Sequence, residues 1–154
     1  MIKIYTDGSC RGNGYNNSRG AWGFAIVNED DKLVYTKCGG RIETTNNQME
    51  LEAVMRALSY ITNSEAFSAE CVEIYTDSAY IHNCVTQGWY KNWQKNGWVN
   101  SKKEPVKNKE YWEFLIPYFE DERYSFVKVK GHANNHWNNL VDEMVQNYSL
   151  KINN

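Results

Sequence analysis

Tyr5-Thr6-Asp7-Gly8-Ser9 near the start of the chain and Tyr75-Thr76-Asp77-Ser78 near its middle carry the same message. In each, a β-prone run ends on a Tyr-Thr pair and delivers an aspartate. If the two runs are neighbouring parallel strands, their carboxyl ends coincide, and both carboxylates face one crevice where open α/β sheets place their sites. One strand-end aspartate is ambiguous, because Asp also serves at turns and helix caps. Its repetition in matching context gives the pair weight.

Working outward, residues 2 to 6 alternate, Ala21 to Val27 is an apolar run, and Lys32 to Cys38 alternates again. Three opening strands are expected, with turns at Gly12-Asn13-Gly14 and at Asn28 to Asp31; the second is short enough to join antiparallel neighbours. From Asn47 the period changes to that of a helix, with Met49, Ala53, Met55, Ala57, Leu58 and Ile61 as its apolar stripe and Thr45-Asn46 as cap. Beyond it we expect a strand at Cys71 to Thr76, a short helix at Ser78 to Thr86, a helix at Lys109 to Phe119, a strand at Ser125 to Val129 and a closing helix from about Trp137. Strands in a run, then strands alternating with helices, imply an α/β mixed sheet covered by helices.

Composition limits the classes of function. The chain of 154 residues fits one domain, residues 1–154, with 42% hydrophobic and 14% aromatic residues, too apolar for disorder. No apolar run approaches the ~20 residues of a membrane-spanning helix. The strand-like start leaves no room for an export signal, so a soluble, cytoplasmic protein without membrane contact is expected. Cys10, Cys38, Cys71 and Cys84 are too dispersed for paired zinc ligands and read as reduced thiols. The net charge of −2 means that any contact with nucleic acid depends on a local basic patch.

Two more acids invite attention. Glu50 lies among Met49, Ala53, Val54 and Ala57 in the first helix, whereas Glu52 points elsewhere; Asp142 lies beside Leu140, Val141 and Met144 in the last. Taken alone, each is either a solvated helix acid or part of a site. The set decides: Thr6-Asp7-Gly8-Ser9-Cys10, Thr44-Thr45-Asn46-Asn47-Gln48-Met49-Glu50-Leu51, Thr76-Asp77-Ser78, Val129-Lys130-Gly131-His132-Ala133 and Val141-Asp142-Glu143 together closely resemble type 1 ribonuclease H, in that family's order, from Ile4 to about Tyr148.

The resemblance implies a ribonuclease H-like fold, a five-stranded mixed sheet in the order 3-2-1-4-5 with strand 2 antiparallel and helices on both faces. It also implies a metal-dependent endonuclease that hydrolyses the RNA strand of RNA–DNA hybrids by a two-metal-ion mechanism, leaving 5′-phosphate and 3′-hydroxyl ends. Asp7, Glu50, Asp77 and Asp142 match the family's metal ligands, for two Mg2+ ions with substrate and Mn2+ as a substitute. Charge supports this independently. Two unit charges about 5 Å apart repel by roughly 3 kcal/mol at an effective dielectric of 20, so four clustered carboxylates are costly without cations. Oxygen-only ligands suit such hard ions. His132 matches an auxiliary catalytic histidine that takes a proton or assists product release; Asn138 matches a supporting asparagine.

Distinguishing RNA from DNA requires a contact to the 2′-hydroxyl, for which the amides of Asn13, Asn46 and Gln48 are candidates. By resemblance, Cys10, Asn13, Asn46 and Glu50 lie against the RNA strand, and Thr45 and Asn47 near the DNA strand. Gly12-Asn13-Gly14-Tyr15 departs from the family's frequent Gly-Asn-Pro-Gly, and Ala79 stands where a Gln is frequent; both bear on RNA contact only. Between Trp89 and Lys109, Lys91, Lys95, Lys102, Lys103, Lys107 and Lys109 face only Glu104, with Trp89, Trp93 and Trp98 interleaved. This stretch reads as a nucleic-acid handle, similar to the family's basic protrusion, or as a solvated helix face with its tryptophans in the core, and the two roles are compatible. A monomer is expected, with the RNA–DNA hybrid as partner and no protein partner. The competing readings are a DNA nuclease or transposase of the same fold and a hybrid-binding module without turnover.

Overall fold

The computed structural model describes residues 1–12, 17–67, 70–129 and 135–152. Asn13 and His132, with the Lys130-Gly131-His132-Ala133 motif, lie outside the described residues.

The elements run β1 (Ile2–Arg11), β2 (Arg19–Val27), β3 (Leu33–Ile42), α1 (Asn46–Thr62), β4 (Val72–Thr76), α2 (Ala79–Gln87), α3 (Trp89–Asn96), α4 (Lys109–Phe119), β5 (Tyr124–Lys128) and α5 (His136–Ile152), with a short 3-10 turn at Glu65–Phe67. The five strands form one sheet in the order β3-β2-β1-β4-β5. β2 is antiparallel to β1 and β3, while β4 is parallel to both β1 and β5.

Apolar side chains decide how helices cover this sheet. On one face, Ile4, Phe24, Ile26 and Ile74 meet Leu51, Val54 and Leu58 of α1, Ile81 of α2, and Trp112 and Leu115 of α4. On the other, Tyr5, Ala21, Ala25 and Val27 meet Val141 and Val145 of α5. The sheet is therefore covered on both faces, as expected for strands joined by helical crossovers. Thr45 caps α1 by accepting from the Gln48 N–H, and Ser78 caps α2 by accepting from Ile81.

Two expectations need correction. β1 does not end at Asp7; it continues to Arg11, paired with β2 from Asp7↔Gly23 through Arg11↔Arg19. What ends there is the seam with β4, whose last pair is Tyr5↔Tyr75. Asp-Gly-Ser reads locally as a turn, but the long β2 partner holds it extended. β3 likewise runs on to Ile42 because β2 pairs with it as far as Arg19↔Ile42. The stretch from Trp89, read as a handle or as a solvated helix face, opens on the helix α3; at Gly88 a left-handed φ of 68° ends α2 and turns the chain directly into α3.

Candidate active site

Where the seam between β1 and β4 stops, β1 continues beside β2 alone, and the cleft that opens receives α1. Gly8 makes this approach possible. A Cβ at Gly8 would lie 2.3 Å from the Met49 carbonyl carbon and 2.6 Å from the Glu50 nitrogen, so only glycine lets the two backbones meet. The Gly8 N–H then donates to Glu50 Oε1 at 3.0 Å, and the Thr76 hydroxyl reaches Glu50 Oε2 at 3.5 Å. Thr76 Oγ1 also accepts from the Ser78 N–H at 3.1 Å, tying the Glu50 carboxylate to the turn that carries Asp77.

The outcome is a three-element acidic cluster. Asp7 from β1, Glu50 from α1 and Asp77 after β4 each bring a carboxylate oxygen within 4.8 Å of the others. Asp7 and Glu50 are each 8% exposed, whereas Asp77 opens to solvent. Asp142, exposed on α5, brings its carboxyl within hydrogen-bonding reach of Asp7, although it stands outside the tight trio. Burial first, and then the neighbouring Asp77 and Asp142, push the Asp7 carboxyl up to about 8; the Gly8 N–H opposes this only partly. Burial, with the Asp77 and Asp7 charges, holds Glu50 well above the usual carboxylate range. Three carboxylates gathered this closely, two of them buried and one open to solvent, offer oxygen ligands alone, the donor set that suits a hard cation.

The other expected site residues line the cleft or lie farther out. Cys10 is half-buried; its N–H donates to Asn46 Oδ1 at 2.6 Å and its thiol to the Thr44 carbonyl at 3.3 Å. Asn46 and Asn47 are exposed at the first turn of α1, beside the half-buried Thr45 and Gln48. A groove of about 630 Å³ runs past these four residues to Tyr80, Lys107 and Asn108. Gln48 Nε2 donates to Asn108 Oδ1 at 3.3 Å, and Asn108 Nδ2 donates to the Tyr80 hydroxyl at 3.2 Å. Asn108 was not singled out from sequence. Its left-handed φ of 64° aims it across the groove, and no residue pattern announces that conformation. Asn138 lies half-buried in the first turn of α5, its N–H bonded to Asn135 Oδ1.

The basic stretch forms α3 and the segment that follows, closed by a bridge between Val99 and Pro105. Trp89 and Trp93 are half-buried with ring centroids 6.4 Å apart, and Trp93 packs on Trp112 at 5.7 Å. All six lysines are exposed, including Lys102, Lys103 and Lys107, and Lys109 Nζ lies 5.5 Å from the Trp98 ring centroid. Aromatics anchoring inward and cations facing outward occur together here.

Glu52 was expected merely to point elsewhere than Glu50. It does, but into the protein, with its side chain only 5% exposed and paired with Arg41 and Arg56. The Glu52/Arg56 spacing was visible as an i,i+4 pair, whereas Arg41 comes from a distant strand.

Comparison with known proteins agrees with this architecture. A family model described as RNase H matches residues 1–149. A Ribonuclease H of Clostridium botulinum is 45% identical over 143 residues, covering 93% of this chain and 91% of its own. A Ribonuclease H of Syntrophomonas wolfei is 42% identical over 147 residues, covering 95% and 94%. Among solved structures, LC11-RNase H1 in complex with RNA/DNA hybrid superposes with a TM-score of 0.74 at 29% identity, covering all of both chains. A family match across nearly the whole length, on a fold that brings distant acids to one cleft, establishes that this chain belongs to the ribonuclease H family.

Proposed function

We propose that this protein is an endonuclease that hydrolyses the RNA strand of RNA–DNA hybrids, leaving 5′-phosphate and 3′-hydroxyl ends. The observation that carries the reading is the meeting of Asp7, Glu50 and Asp77 within 4.8 Å at the open end of the β1–β4 seam, with Asp142 reaching in from α5. Support also comes from LC11-RNase H1, which was solved bound to an RNA/DNA hybrid.

In this reading Asp7, Glu50, Asp77 and Asp142 hold two divalent cations, Mg2+ with Mn2+ as substitute. When bound, the cations supply charge neutralisation for the entering and leaving oxygens of the phosphodiester and lower the cost of deprotonating the attacking water. Glu50, held by the Gly8 N–H and Thr76, is the rigid member, and exposed Asp77 and Asp142 can adjust as substrate arrives. His132 is the proton carrier, accepting from the water or assisting product departure. Cys10, Asn13, Asn46 and Glu50 lie against the RNA strand, with Gln48 a further candidate reader of the 2′-hydroxyl, Thr45 and Asn47 lie near the DNA strand, and Asn138 supports the cleft from α5. Trp89, Trp93, Lys102, Lys103 and Lys107 hold the duplex backbone from the handle.

The test is cleavage of one end-labelled sequence presented as hybrid, double-stranded RNA, duplex DNA and single-stranded RNA, each with magnesium and with chelator. Internal cuts confined to the hybrid's RNA, and only with magnesium, are expected. Cuts in DNA, or tight hybrid binding without cuts, would sink the proposal.

A further inference from the structure

A second groove, also of about 630 Å³, opens between β2, β3, α1 and α4, with Trp22, Arg41, Glu52, Arg56, Glu110 and Tyr111 on its walls. Its arginines are held in place. Arg41 Nη1 donates to Glu52 Oε1 at 3.4 Å and to the Tyr111 hydroxyl at 2.9 Å, and Tyr111 in turn donates to Glu52 Oε1 at 3.2 Å. Arg56 Nε donates to Glu52 Oε2 at 3.2 Å, and its guanidinium lies over the Trp22 ring, 5.1 Å from the centroid. One buried carboxylate thus fixes two guanidiniums, whose side chains remain 56% and 49% exposed to the groove.

Stability alone does not account for this network. Glu52 is a buried carboxylate whose two arginine partners stay half in solvent, and an apolar side chain of similar volume there is often as stabilising as such a charge. What Glu52 adds is the placement of two planar, always-charged groups, each with N–H donors left over for a ligand. Their natural complement is a phosphate oxygen pair.

The groove's position indicates which phosphate. Glu52 stands one turn along α1 from Gln48, and Tyr111 about one turn along α4 from Asn108. Gln48 and Asn108 bridge the groove proposed above for substrate, so the second groove continues the first along the same pair of helices. Glu110 is the acid on the rim, and Lys107 lines the neighbouring groove rather than this one, so cations stand along both grooves.

We infer that Arg41 and Arg56, fixed by Glu52, form a distal phosphate subsite that grips the backbone of the bound duplex beyond the handle. The inference rests on the proposed nucleic-acid substrate and lengthens its track.

The test replaces Arg41, Glu52 and Arg56 together by Gln, which removes the charges without leaving a buried carboxylate unpaired. Binding of hybrid is read by fluorescence anisotropy in chelator, and KM with magnesium, each across a salt series. Two lost phosphate contacts should lower affinity and make its decline between about 50 and 200 mM salt roughly tenfold smaller, since each contact contributes about 0.9 to the slope. Arg41→Gln alone, which leaves Glu52 with Arg56 and Tyr111, should give about half that change in slope and keeps the test valid if the triple variant does not fold. An unchanged salt slope in a folded variant overturns the inference. So does a variant that loses binding to polyglutamate while binding hybrid normally, which would assign the groove to an acidic protein. Failure of the wild type to cut hybrid is a separate result and counts against the proposed function instead.

Discussion

Gly8 and Met49 touch backbone to backbone, and this contact sets how deeply Glu50 enters the cleft. Gly8→Ala would place a methyl group 2.3 Å from the Met49 carbonyl carbon, which neither backbone can yield cheaply. The expected cost is about 3 kcal/mol of stability, at the upper end for overpacking, with hybrid cleavage falling far more than folding loss explains. Urea unfolding and activity on the folded fraction check both parts; a variant of native stability would show that α1 can back away freely.

Asp7→Asn should abolish cleavage while raising stability in chelator. The folded Asp7 carboxyl titrates at about 8, against an ordinary value of 3.8. Its contribution to stability is therefore fully present below the ordinary value and is lost as pH rises through 8. Without cations, the wild type should melt at lower temperature at pH 8.5 than at pH 5, and Asp7→Asn should flatten that slope. Thermal melts over this window, with and without magnesium, test the sign; magnesium should restore the wild type at the alkaline end.

Thr76 is wholly buried, and its hydroxyl stands between the Ser78 N–H and Glu50 Oε2. Thr76→Val keeps the shape and strands both partners, costing about 1–3 kcal/mol and weakening manganese binding by calorimetry. Thr76→Ser should recover most of both. Equal behaviour of the two variants would mean that the hydroxyl does not orient the cleft.

Neutralising Lys102, Lys103 and Lys107 should raise KM and flatten its salt dependence, with kcat nearly unchanged, because exposed cations grip phosphates without touching the reacting atoms. Steady-state kinetics at several ionic strengths decide it, and an unchanged KM would remove the handle from substrate binding.

Much of the sheet was legible in the sequence because period and turn chemistry are local. Asn28 to Asp31 reads as a turn and is one, closed by the Lys32 carbonyl accepting from the Asn28 N–H. The matched Tyr-Thr-Asp runs announced parallel neighbours, and Tyr5↔Tyr75 pair in parallel. Features set by distant partners were not legible. The extension of β1 past Asp7 depends on β2, the burial of Glu52 depends on Arg41 and Tyr111, and the groove-spanning pose of Asn108 depends on Gln48 and Tyr80. For the cluster, sequence named the acids, but only the fold showed that Asp7, Glu50 and Asp77 form a tight trio with Asp142 at its margin.

The forked seam has a consequence for how this protein responds to its surroundings. Asp7, Glu50 and Asp77 arrive on three separate pieces of the fold, so ionising all three at once would set like charges against one another across the joint between β1, α1 and the end of β4. Any cation that binds the folded cleft and not the unfolded chain adds stability in proportion to the logarithm of its concentration. If divalent ions bind the cleft as proposed, the melting temperature would rise with free ion, and the joint that gathers the acids would make the fold itself a sensor of what fills them.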